Sequence, residues 1–101
     1  MADLIYHVTT QQAWDDAVAK GFYAAASLEI EGFIHCSTAD QVAGVLERYY
    51  QGVSNLVKLV IDPDLLKSEL KFELAPSVNE LFPHVFGNIN LDAVIAIQNV
   101  Q

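Results

Sequence analysis

From Leu56 to Ile61 the chain reads Leu-Val-Lys-Leu-Val-Ile, β-rich and nearly continuously apolar. A run of this kind does not alternate, so as a strand it has no face to turn to water and belongs in the centre of a sheet, covered on both sides. Asp62-Pro63-Asp64 follows with turn chemistry and ends it. The rest of the sequence must supply the neighbouring strands and the covering layers.

The periodicity predicts those pieces in order. Leu4 to Val8 reads as a strand, and Ala13, Trp14, Ala17 and Val18 then fall on one face of a helix. Thr9 or Thr10 can cap that helix, Thr9 with Gln12 fits a capping box, and Gly21 is a good stop. Phe22 to Glu31 reads as a loop in which Ser27 to Ile30 can form a short helical turn. Phe33 to Cys36 reads as a short buried strand.

A second capping-box pattern, Thr38-Ala39-Asp40-Gln41, opens a helix with Val42, Val45, Leu46 and Tyr49 on one face and Gly52 as its stop. Leu70 to Leu74 alternates like a strand with one solvated face and ends at Pro76, and Ala93 to Val100 supplies a last strand. The segment from Pro76 to Asp92 reads as a long connection, of the kind in which sites gather. Two early helices and a later half rich in strand predict an α+β fold with a mixed or antiparallel sheet, in one domain spanning residues 1–101.

Composition narrows the function classes. With 52% hydrophobic and 18% charged residues the chain is on the folded side. Thirteen acidic against five basic residues give a formal charge of −8, a field that repels phosphate backbones. Arg48 is the only arginine and the lysines are scattered, so no nucleic-acid partner is expected. The longest apolar stretch is broken by Lys58, so no membrane span is expected. Met1-Ala2-Asp3-Leu4 lacks the basic and apolar regions of a secretory signal, and the single Cys36 cannot close an intramolecular disulfide. Both point to the cytoplasm.

Few residues can do chemistry at neutral pH, and the three histidines each sit in a compact cluster of aromatic, small or hydroxyl residues. His7, at the end of the first strand beside Thr9, reads either as a donor to a ligand hydroxyl or as a strand histidine bonded inside the fold. In a regular strand His35 and Cys36 point to opposite faces, so only one faces a cleft. Ser37 and Thr38 precede a helix whose first amides are unpaired; a phosphate or carboxylate can dock there, or the hydroxyls simply cap the helix. His84 follows Pro83, and Gly87 closes its segment with a permitted turn. Phe82 and Phe86 are core anchors or stacking platforms.

HxxxH and CxxC spacings are absent, so no metal is expected, and a strand cysteine such as Cys36 reads as an inert hydrophobe. Glu29, Glu31, Glu73, Glu80 and Asp92 lie in or beside these segments as candidate general bases.

Tyr6-His7-Val8-Thr9, Gly32-Phe33-Ile34-His35-Cys36-Ser37 with Gln41 after it, Leu56 to Asp62, and Phe82-Pro83-His84-Val85-Phe86-Gly87 together resemble the DUF952 family, small bacterial proteins of unknown function. The resemblance runs nearly end to end. It implies a minimal relative of the ADP-ribosyltransferase fold, with a split, curved sheet, two main helices and a cleft. In that superfamily a first-strand histidine, a glycine and a hydroxyl residue hold the ribose and nicotinamide amide of NAD; His7 and Thr9 match the first and third, and Val8 stands at the second. Phe33 to Thr38 is similar to the superfamily's strand-to-helix segment, with His35 near the place of its tyrosine. For the late-strand glutamate, His84, Glu80 and Glu73 are the candidates. The arginine-rich phosphate site of the RNA phosphotransferases cannot be assembled from Arg48 alone.

The resemblance thus implies an enzyme acting on NAD or a related nucleotide-ribosyl substrate, with His7, His35 and His84 as candidate catalytic residues and Thr9, Ser37 and Thr38 as candidate ligand-binding residues. The alternative is a non-catalytic module that binds a nucleotide or small metabolite in the same cleft.

Overall fold

The computed structural model of the chain describes residues 3–100. In chain order the elements are β1 (Ile5–Thr10), α1 (Gln11–Lys20), β2 (Phe22–Tyr23), α2 (Ala26–Glu31), β3 (Ile34–His35), α3 (Val42–Tyr49), β4 (Leu56–Ile61), β5 (Glu69–Ala75), β6 (Glu80–Phe86), β7 (Ile89–Asn90) and β8 (Val94–Asn99). They form an α+β fold with three sheets, ordered β1-β4-β8, β3-β6-β5 and β2-β7, and every pairing among the described residues is antiparallel.

The apolar run is the middle strand of its sheet, as its pattern predicts. Val57, Leu59 and Ile61 join a core with Ile5, Ala17, Tyr23, Ile34 and Val85, against which Trp14 of α1 packs. Leu56 joins Val8 and Val42, with Leu46 of α3 against them. Helix α1 therefore covers one face of the sheet and α3 the other. Leu59 and Ile61 lose all contact with solvent, and each burial contributes about 1.5–3 kcal/mol. Lys58 is half-buried, its Nζ lying 5.1 Å from the centroid of the Tyr6 ring.

Local signals set most boundaries, with instructive exceptions. Thr10, not Thr9, caps α1, its Oγ1 accepting from Ala13 N–H at 3.1 Å. Thr9 is committed elsewhere, to Tyr23. Gly21 ends the helix in a left-handed conformation. Thr38 and Gln41 form the expected capping box, with Gln41 Oε1 accepting from Thr38 N–H at 3.0 Å, and a 3-10 turn over Ala39–Gln41 leads into α3. That helix stops at Tyr49, short of Gly52, which lies in the following turn. Phe22 to Glu31 is not a loop: it holds β2 and α2, elements too short to show a period.

The segment from Pro76 to Asp92 departs furthest from expectation. Instead of a long connection it carries β6, the middle strand of the second sheet, and β7. Proline inside a strand argues against a central position, because it donates nothing to the ladder. Here the ladder ends where it would have to. Cys36 N–H donates to the Pro83 carbonyl at 3.0 Å, but Pro83 has no N–H to return. The chain then leaves β6, and Ser37 pairs with Tyr6 of β1 through bonds of 2.7 and 2.8 Å. One short segment thus ties the two larger sheets together. Beyond β6, Gly87 adopts φ of 154°, and a Cβ there would lie 2.5 Å from Ser68 Oγ, so only glycine fits.

The alternating strand also differs from its pattern. Phe72 and Leu74 of β5 are exposed, while Glu73, from the charged side of the alternation, is half-buried. β5 is an edge strand in a hairpin with β6, so its apolar side is not fully covered. No helix among the described residues is long and apolar enough to cross a membrane. The reading of the chain's start rests in part on Met1 and Ala2, which lie outside the described residues.

Candidate functional site

Past the Tyr6 to Ser37 bridge a cavity of about 630 Å³ opens between the two larger sheets. His7, Val8 and Thr9 of β1 line it, with His35, Cys36 and Ser37 from the crossing segment and Phe82 and His84 from β6. Tyr49 and Tyr50 at the end of α3, Tyr23 of β2, and the turn between β5 and β6 add to the walls. Of the six candidate residues, His7, Thr9, His35, Ser37 and His84 are brought together. Thr38 is not in the lining; its backbone amide is held by Gln41. His35 and Cys36 both reach the cavity, because regular strand geometry stops between them.

His7 is buried, and its protonation follows from its partners. Nδ1 lies 2.5 Å from the carbonyl oxygen of His35, which can only accept, so Nδ1 carries a proton. Burial drives the imidazole pKa down to about 4, opposed only in part by that bond, so the ring is neutral at pH 7. Nε2 then accepts from the Tyr23 hydroxyl at 2.8 Å. With the single Tyr23 proton so used, the 3.0 Å bond between the Tyr23 and Thr9 hydroxyls takes the Thr9 proton. Burial also raises the Tyr23 pKa, with the Thr9 bond opposing. Both nitrogens of His7 are therefore committed within the protein, one to the His35 carbonyl and the other to Tyr23, as for a strand histidine bonded inside the fold.

His84 is buried in a different setting. Its ring stacks on Phe33, with centroids 4.1 Å apart and planes 18° from parallel, and the His35 ring meets it edge-on at 5.2 Å. Nδ1 lies 2.8 Å from Glu73 Oε1. A carboxylate only accepts, so Nδ1 holds a proton and in the neutral ring Nε2 keeps a free lone pair. Nε2 makes no hydrogen bond among the described residues, and no fully buried side-chain nitrogen or oxygen there lacks a partner, so this atom is accessible. His35 stands half-exposed, with Nε2 2.7 Å from Glu31 Oε2. Cys36 is buried, and burial pushes its thiol up to about 12, which keeps it protonated.

Sequence reasoning missed Tyr23, Tyr50 and the stacking role of Phe33. Tyr23 sits in a two-residue strand, and Phe33 carries no spacing signal of its own. Glu73 was one of five candidate carboxylates; the structure singles it out, with Glu31 beside His35. No group of three or more His, Cys, Asp or Glu among the described residues is placed to hold a metal ion.

A family model described as a protein of unknown function, DUF952, matches residues 8–97. The chain belongs to the DUF952 family. Among solved structures this DUF952 chain is similar to protein CC0527 from Caulobacter crescentus. Its crystal structure is 28% identical with a TM-score of 0.88, over 97% of this chain and 86% of that one. The solution NMR structure of CC0527 is 29% identical with a TM-score of 0.81, over 95% and 83%. No curated protein matches this DUF952 chain. The family match takes in every cavity residue except His7, which directly precedes it.

Proposed function

We propose that this DUF952 chain is an enzyme that acts on NAD or a related nucleotide-ribosyl compound in the histidine-lined cavity. The observation that carries the reading is the pair of His84 and Glu73: a buried imidazole, oriented by a carboxylate at 2.8 Å, with its second nitrogen free and accessible. The ADP-ribosylation-like reading of the fold belongs to the same proposal. A sheet parted past the Tyr6 to Ser37 bridge, with a cavity in the parting, supports it.

In this reading the Thr9 and Ser37 hydroxyls hold the ribose, and Tyr49, Tyr50 and Phe82 offer apolar surface to the base. His84 Nε2 takes the proton of an attacking water or alcohol as its oxygen bonds to the anomeric carbon. The glycosidic bond to the base breaks with its electron pair going to the base nitrogen, so a pyridinium base leaves neutral. His35, paired with Glu31, stands beside the imidazolium that forms. His7 acts as a positioning residue, holding the His35 carbonyl and Tyr23. The charge of −8 supports a small-molecule partner over nucleic acid, and the single buried thiol supports a reducing compartment such as the cytoplasm.

The test is release of nicotinamide from NAD, followed by mass spectrometry, in the wild type and in His84→Ala. Release that depends on His84 is expected. The second reading, a non-catalytic binding module, is favoured by one observation: both nitrogens of His7 are spent on internal bonds. Binding of NAD in the cavity without consumption of it or of other ribosyl compounds would select that reading.

A further inference from the structure

The walls of the cavity carry no lysine or arginine among the described residues. Arg48, the only arginine of the chain, lies outside the lining, its guanidinium carbon 5.8 Å from the Tyr49 ring centroid and its Nη1 3.0 Å from where a Cβ on Gly44 would sit. The imidazole linked to the Thr9 hydroxyl through Tyr23, His7, has its one neutral-state proton committed to the His35 carbonyl. The helix approach after Ser37 is also poor for anions. The Thr38 amide is taken by Gln41, and Asp40 adds negative charge in the first turn.

Negative charge stands close behind the site instead. Glu73 is 2.8 Å from His84 and Glu31 is 2.7 Å from His35. The aromatic rings of Tyr50 and Phe82 can meet a cation on their faces, whereas Tyr49 already has the Arg48 guanidinium over its ring. A diphosphate would enter with no lysine or arginine in the described lining and two carboxylates nearby, whereas a positively charged base would be favoured by both features.

We propose that the site selects a phosphate-free, cationic N-ribosyl compound, a nucleoside whose base is a pyridinium-type ring, over its phosphorylated counterparts. This inference rests on the ribosyl-binding reading above and shifts its preferred substrate from NAD to the phosphate-free nucleoside, leaving NAD as the poorer one. The experiment is a titration of the isotopically labelled full-length chain with nicotinamide riboside, nicotinamide mononucleotide and NAD at one ionic strength. Nicotinamide riboside is expected to bind at least about tenfold more tightly than either phosphorylated compound, shifting Thr9, Ser37 and His84. In Glu73→Gln that preference is expected to narrow. Equal or tighter binding of the mononucleotide or NAD overturns the selectivity and leaves the ribosyl reading standing. A preference unchanged in Glu73→Gln overturns the role given to that carboxylate. Failure of all three compounds to bind the folded chain overturns both the selectivity and the reading beneath it.

Discussion

His84 Nδ1 and Glu73 Oε1 lie 2.8 Å apart, joining a buried imidazole on the middle strand of one sheet to a half-exposed carboxylate on its edge strand. The contact is set by pairing register. Glu73 stands opposite Phe82, two residues along from His84 and on the same face of the sheet. The bond orients the ring and assigns its tautomer, which is the condition for a free lone pair at Nε2.

Two consequences of that bond are measurable. Nitrogen-resolved NMR of the neutral His84 ring is expected to show the proton on Nδ1; a proton on Nε2 would remove the proposed base. In the nicotinamide-release assay, His84→Ala is expected to lose about 10²-fold or more and Glu73→Gln less. Glu73 is 42% exposed, so its substitution should leave the thermal midpoint nearly unchanged. Glu73→Gln at the wild-type rate would show that the carboxylate has no part in turnover.

His7 makes stability depend on pH. Its folded-state pKa, about 4, lies below the ordinary 6.5, so between these values the unfolded chain binds a proton that the native state does not. Stability from this group is complete above pH 6.5, falls as pH drops from 6.5 toward 4, and changes no further below that. The loss amounts to roughly 3 kcal/mol. Urea unfolding at pH 7 and pH 4.5 should show it, and His7→Gln should lack this component. A His7 ring signal that titrates near 6.5 in the folded protein would defeat the argument.

Tyr23 holds the polar cluster behind the cavity. Tyr23→Phe keeps the ring but leaves His7 Nε2 and the Thr9 hydroxyl without their shared partner in a buried place. The expected cost is about 1–3 kcal/mol in urea unfolding. A cost within about 0.5 kcal/mol, the range of an ordinary surface substitution, would mean that the cluster does not hold as a network.

Cys36 should behave as a hydrophobe. With 3% exposure and its thiol pushed up to about 12, it is expected to resist iodoacetamide at pH 8 in the folded state and to react once urea unfolds the chain. Rapid modification of folded protein would point to an exposed, ionised thiol and contradict the packing described.

Much of this arrangement is legible in the amino acids. The nearly continuous apolar run from Leu56 to Ile61, interrupted only by Lys58, can be satisfied only between two layers, and α1 and α3 supply them. Gly21 and the Thr38 and Gln41 pair are local signals that act within a few residues, so they hold wherever the helices pack. The spacing did not reveal that Thr9 is drawn from capping to Tyr23, or that Pro83 lies inside a central strand. Both depend on partners far along the chain, Tyr23 for the first and Cys36 for the second.

The residue types of the site were likewise visible in sequence, and their chemistry was not. Three histidine segments could be named from composition and neighbours. The tertiary structure decided that His7 has both ring nitrogens committed while His84 keeps Nε2 free, because that follows from the His35 carbonyl, the Tyr23 hydroxyl and the Glu73 carboxylate, all brought in from other elements. Periodicity and capping are contained in a few consecutive residues and determine the elements. Protonation, burial and the parting of the sheets arise from contacts between distant residues, and these exist only once the chain has folded.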